Sequence, residues 1–166
     1  ITLIGMPGSG KSTIGQSLAR RWGWSFVDTD ERIETGEHKR LEEIIDAVGF
    51  ERFLEIEARY VLQQEGEHQI ISTGGSVIYV DAAMQYLRQI STVVYLEVSW
   101  KDLENRLGDL KARGVVIAPG RTVESLWQER HPLYLRYAHL VAPCSGDSPE
   151  ITAEKVHQQL LHDHTL

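Results

Sequence analysis

The chain has 166 residues, room for one domain that buries about two thirds of its unfolded surface without disulfide support. Seventeen basic side chains stand against 24 acidic ones, a net charge of −7 that excludes a general nucleic-acid binder working by counterion release. A lone cysteine, Cys144, excludes an internal disulfide, no Cys/His spacing resembles a zinc site, and no apolar run approaches the length of a bilayer span, so a cytoplasmic enzyme with no membrane or nucleic-acid partner is expected.

The apolar run Ile1 to Ile4 reads as a strand, and it leads into Gly5-Met6-Pro7-Gly8-Ser9-Gly10-Lys11-Ser12. That octet fits G-x-x-x-x-G-K-[ST] at every fixed position. Its glycines let the backbone turn its N–H groups inward as an anion cradle, Lys11 reaches the outer phosphates, and Ser12 offers a hydroxyl to magnesium. Gly8, Ser9, Gly10, Lys11, Ser12 and Thr13 are the expected nucleotide-binding residues. Ile14, Leu18 and Trp22 continue at helical spacing, so a helix follows with its positive end toward the phosphates.

Ser25-Phe26-Val27 reads as a strand ending at Asp28-Thr29-Asp30, two carboxylates at the sheet edge where open parallel sheets bind ligands. Residues 31–66 read as two helices separated by Gly49. Gln69 to Ser72 returns to strand, a turn follows at Thr73-Gly74-Gly75-Ser76, and Asp81 is placed to cap a helix through Met84 and Leu87. The β-branched run Thr92 to Val98 predicts a strand buried on both faces, with Ser99 capping a helix that carries Leu103 and Arg106. Residues 108–120 carry glycines and a proline without a sustained period, the composition of an active-site lid. A helix over 122–137, a short strand at Leu140-Val141 and a helix over Ile151 to Leu161 complete an alternation that predicts a parallel sheet covered on both faces.

A phosphate loop, a carboxylate pair, a glycine turn at a third strand end and an arginine-bearing lid together suggest phosphoryl transfer from ATP with magnesium. One carboxylate of the Asp28/Asp30 pair would hold the metal through water, and the other would orient or deprotonate an acceptor hydroxyl. The plainer reading of the pair is two solvated helix-capping acids. His157, His162 and His164 match no metal-site spacing; Trp22, Trp24, Trp100 and Trp127 read as core or half-buried residues, and Cys144 as a small apolar one.

With Val27-Asp28-Thr29-Asp30, Ser72-Thr73-Gly74-Gly75, Val93-Val94-Tyr95-Leu96 and Arg130-His131-Pro132-Leu133-Tyr134 following the loop in order, nearly the whole chain resembles the shikimate kinases. The resemblance implies a three-layer α/β/α P-loop fold over residues 1–166. Its five-stranded parallel sheet would have the order 2-3-1-4-5, with an acceptor-binding helical region near 31–66 and a mobile lid near 108–120. It implies a monomer that moves the γ-phosphate of ATP to a hydroxyl of shikimate or a related small hydroxylated acid, with ADP as product. By the same resemblance Lys11, Asp30 and Arg113 are catalytic, and Ser12 and Asp28 serve the metal with Ser72 nearby. Asp30, Gly74, Gly75 and Arg130 bind the acceptor, and Arg106 stacks on adenine.

Three stretches depart from the family pattern. Phe53-Leu54-Glu55-Ile56-Glu57 stands where Phe-Arg-x-x-Glu is usual, so leucine replaces an arginine that would grip the acceptor carboxylate, and Arg52 lies two residues off that face. Ser76 stands where a third glycine is usual, and Arg113-Gly114-Val115-Val116 where Arg-Pro-Leu-Leu is. A kinase of another polyol or sugar acid such as gluconate, or a non-catalytic nucleotide-binding module, therefore stays open as an alternative. Restoring arginine at position 54 is expected to tighten shikimate binding.

Overall fold

The computed structural model describes residues 1–106 and 122–162. Five strands form one parallel sheet of order β2-β3-β1-β4-β5: β1 is Thr2–Ile4, β2 Ser25–Asp28, β3 Gln69–Ser72, β4 Val93–Glu97 and β5 Leu140–Pro143. The expected sheet order is therefore present. The central strands β1 and β4 are sealed on both faces, which is why they read as unbroken apolar runs rather than alternating ones.

Helix α1, Lys11–Trp22, packs on β1, β2 and β3 and against the terminal helix α8, Pro149–His162. Helices α5 (Asp81–Ile90), α6 (Trp100–Arg106) and α7 (Val123–Tyr137) follow the third and fourth strands, and α7 packs on β4. Ser99 caps α6 as expected, its Oγ accepting from the backbone N–H of Asp102 at 3.2 Å. The four tryptophans are half-buried, Cys144 is buried, and His157 accepts a hydrogen bond from Trp22 on α8's packed side.

The region 31–66 holds three helices rather than two: α2 (Thr29–Glu37), α3 (Leu41–Val48) and α4 (Phe50–Leu62). Gly49 separates α3 from α4, and its φ of 82° is the conformation that favours glycine. Ile33, Ile44 and Phe53 build a small core beneath these helices, distinct from the large core around the sheet. Asp81 does not cap α5. Val80 holds the N-cap position, and the Asp81 carboxylate instead accepts from the Tyr137 hydroxyl at 2.7 Å, a tertiary partner that outcompetes the local one. Among the described residues, no helix is long and apolar enough to cross a membrane.

Register sets the site. Asp28 of β2 pairs with Ser72 of β3, and Ser72 also sits opposite Leu3 of β1, so the carboxyl ends of three strands converge where the phosphate loop begins.

Candidate active site

Gly8 and Gly10 take φ values of 78° and 95°, left-handed conformations that carry the loop into α1 at Lys11. The Lys11 ammonium folds back beneath the loop and donates to the carbonyls of Gly5 at 2.9 Å and Met6 at 3.0 Å. Burial lowers its pKa to about 8, against the pull of the Asp30 and Asp28 carboxylates. A lysine held beneath its loop by two carbonyls is one exchange away from phosphate oxygens. The buried hydroxyl of Ser9 has no partner, which also fits a loop built to close on a ligand.

The Ser12 hydroxyl donates to Asp28 Oδ2 at 2.7 Å and lies 3.4 Å from the Ser72 hydroxyl. Asp28 has a second task, since its Oδ1 accepts from the backbone N–H of Asp30 at 3.0 Å as the N-cap of α2. The plain capping reading thus holds for one oxygen of Asp28, while the other faces the site. Among the described residues, no three His, Cys, Asp or Glu side chains cluster as a metal cage. One carboxylate beside a helix-start hydroxyl instead fits a hard divalent cation that keeps water and takes phosphate oxygens as its remaining ligands.

Asp30 is half-buried, but its Oδ1 is sealed from solvent and has no hydrogen-bond partner. Glu57, fully buried on α4, leaves Oε1 equally unpartnered while its Oε2 accepts from Ser76 at 2.7 Å. Both free oxygens crowd Gly74: a Cβ there would lie 2.2 Å from Glu57 Oε1 and 2.7 Å from Asp30 Oδ1. Burial, then the Asp28 carboxylate, raises the pKa of Asp30 to about 6; burial, then Asp30, raises that of Glu57 to about 8. The Gly74 N–H donates to the Thr29 hydroxyl at 3.2 Å, fixing the turn against the start of α2. Across the cavity, the buried Arg130 of α7 donates from Nη1 to the Gly75 carbonyl at 3.2 Å and from Nε to the Tyr79 hydroxyl at 3.0 Å.

A cavity of about 340 Å³ brings most of the predicted residues together. Gly8, Gly10, Lys11, Ser12 and Thr13 line one end, Asp28 and Ser72 a corner beside it, and Asp30, Gly74, Gly75 and Arg130 the other end. Ser9 faces an adjoining cavity with Arg106, whose Nη2 donates to the Cys144 carbonyl at 3.1 Å; Arg106 thus lies on the other side of the loop from Asp30 and Arg130. Arg113 and the expected lid at 108–120 lie outside the described residues.

Leu54 is the main surprise. It lines a separate cavity with Glu51, Glu55, Tyr79 and Asp81, whereas α4 presents Phe53 and Glu57 to the site. Arg52 does not replace the missing arginine; it is exposed and paired with Glu55. Glu57 was absent from the predicted site residues, although a carboxylate four residues from Phe53 and four from Val61 lies on the buried stripe of α4 and signals a special role. Tyr79 gave no sequence signal, because its part depends on how a single 3-10 turn, Val77–Tyr79, meets α7.

The shikimate kinase family profile matches residues 7–161. The chain is 36% identical over 152 residues to a shikimate kinase of Frankia casuarinae, covering 90% of this chain and 67% of that one. It is 34% identical over 160 residues to a shikimate kinase of Thermobifida fusca, covering 95% and 92%. The shikimate kinase of Acinetobacter baumannii, solved in complex with shikimate, superposes with a TM-score of 0.89 at 26% identity, covering 98% of this chain and 92% of that one. With the phosphate loop, the Asp28/Asp30 strand end and Arg130 gathered around one cavity, this chain belongs to the shikimate kinase family, phosphotransferases whose acceptor is a hydroxyl group.

Proposed function

We propose that this chain uses ATP and magnesium to phosphorylate an alcohol of a small hydroxylated monocarboxylic acid, shikimate or a close relative. The observation that carries the reading is that one cavity holds an anion cradle at one end and, at the other, a buried guanidinium facing an unpartnered carboxylate oxygen. In this reading Lys11 leaves the Gly5 and Met6 carbonyls for the phosphates and offsets charge on the transferring group. Ser12 and Asp28 would hold the magnesium ion, which when bound would neutralise phosphate charge. Asp30 Oδ1 accepts the acceptor's hydroxyl and aims it along the line of transfer, while Arg130 anchors the carboxylate at the opposite side. Arg106 supports the base, and Arg113 is proposed as a further charge on the transferring phosphoryl group.

The test is ADP release with Mg·ATP over shikimate, quinate, gluconate and no acceptor. Turnover with shikimate, lost on chelation of the metal and in Lys11→Met, is the expected result. Turnover confined to gluconate would replace the acceptor. ATP binding with no turnover on any acid would remove the catalytic reading.

A further inference from the structure

The acceptor end of the cavity is held from both sides by one short stretch of chain, Gly75 to Tyr79. Its Gly75 carbonyl takes Nη1 of Arg130 at 3.2 Å, and its Tyr79 hydroxyl takes Nε at 3.0 Å. The Tyr79 ring also lies beneath the guanidinium, 5.2 Å from centroid to Cζ. The same hydroxyl donates to Glu129, so the phenol stands between that carboxylate and Nε of Arg130. On the other side Ser76 holds Oε2 of Glu57 at 2.7 Å. Glu57 lines the same cavity.

These contacts have a common effect. A guanidinium has five N–H donors in a rigid fork, and Tyr79 and Gly75 take one from Nε and one from Nη1. Nη2 and the second hydrogen of Nη1 are not used by these two contacts, and such N–H groups can pair with a carboxylate. A tyrosine that merely packed would use its ring alone. Here the hydroxyl spends both its donor and its acceptor capacity on charged neighbours, a placement that specifies direction.

We propose that Tyr79 is a positioning and specificity-determining residue. It fixes the direction of Arg130, so that a single arginine reads the carboxylate of the acceptor, while Ser76 holds Oε2 of Glu57 and leaves Oε1 to receive a hydroxyl of the same molecule. This rests on the functional reading above.

The experiment compares shikimate with its uncharged methyl ester, in steady-state kinetics and by calorimetric titration into the Mg·ADP-loaded protein. Tyr79→Phe keeps the ring and removes the hydroxyl. It is expected to raise KM and Kd for the acid about tenfold, to move those for the ester and for ATP less than twofold, and to lower kcat less than KM rises. The preference for acid over ester therefore shrinks. Ser76→Ala is expected to weaken acid and ester alike, since it acts on the hydroxyl side. Equal losses on acid and ester in Tyr79→Phe, or an unchanged acid KM, would overturn the proposal while leaving the functional reading standing. Wild-type protein that neither binds nor phosphorylates either compound would overturn both. Melting temperatures of both variants within a few degrees of wild type establish that selectivity, and not folding, is what changed.

Discussion

The hydroxyl of Ser12 donates to Asp28 Oδ2 at 2.7 Å, tying the first turn of α1 to the carboxyl end of β2. One carboxylate thus serves two structures, because its other oxygen caps α2. The two tasks separate by substitution.

Asp28→Asn keeps a competent N-cap but loses the charge, so the magnesium concentration for half-maximal activity should rise about tenfold with an unchanged melting temperature. Asp28→Ala should show the same magnesium effect and in addition lose about 1 kcal/mol of stability. Magnesium titrations and thermal melts of the two variants check this. Equal melting temperatures for Asn and Ala would show that the cap is not worth what its geometry implies.

Glu57 makes stability depend on pH in a direction opposite to the usual salt-bridged acid. Its pKa rises from an ordinary 4.5 to about 8 on folding, chiefly by burial. Between those values the native state binds the extra proton, so the contribution is fully present below pH 4.5 and is lost as pH rises through 8. Asp30, raised to about 6, acts in the same sense over a lower window. The ligand-free protein should therefore lose stability from pH 5 toward 8, and Glu57→Gln, which can still accept from Ser76, should flatten that slope. Denaturant melts at pH 5, 6.5 and 8 measure it; a wild-type slope equal to that of the glutamine variant would refute the burial argument.

Gly74→Ala should damage both fold and activity. The added Cβ would stand 2.2 Å from Glu57 Oε1 and 2.7 Å from Asp30 Oδ1, and neither carboxyl can retreat into its packed surroundings without cost. The expected destabilisation is about 1–3 kcal/mol, with kcat/KM for the acceptor falling by at least about tenfold and KM for ATP little changed, which urea melts and ADP-release kinetics will show. Retention of full activity would mean that Asp30 and Glu57 do not sit against this turn.

Leu54→Arg should leave acceptor KM within twofold. The sequence pattern suggested the reverse, but Leu54 opens on a cavity lined by Glu51, Glu55, Arg59 and Asp81 and separate from the one that holds Arg130, so a side chain there points away from the acceptor. Steady-state kinetics with shikimate decide between the two expectations; a KM lowered tenfold would place residue 54 in the site after all.

These contrasts show which features a one-dimensional reading can reach. The phosphate loop was legible because its chemistry is contiguous: glycine torsions, lysine and hydroxyl all lie within Gly5 to Ser12. Asp28 and Asp30 were legible because a strand end places neighbouring residues at one sheet edge. Sheet order came from family resemblance rather than from periodicity. Asp81 misled because serving as a cap and pairing with Tyr137 are equally open to an aspartate at a helix start, and only the packing of α5 on α7 selects one. Leu54, Glu57 and Tyr79 were harder for the same reason. Which face of α4 looks into the cavity depends on the angle at which three helices meet, and no local spacing encodes that angle.

The small core of Ile33, Ile44 and Phe53 stands apart from the larger one around the sheet, and Phe53 is also a wall of the cavity. Prising α3 upward would therefore disturb a handful of apolar neighbours and spare the strands beneath the nucleotide. That separation predicts unequal local stability, so in hydrogen exchange Leu41–Val48 should trade its amides long before β1 or β4 does.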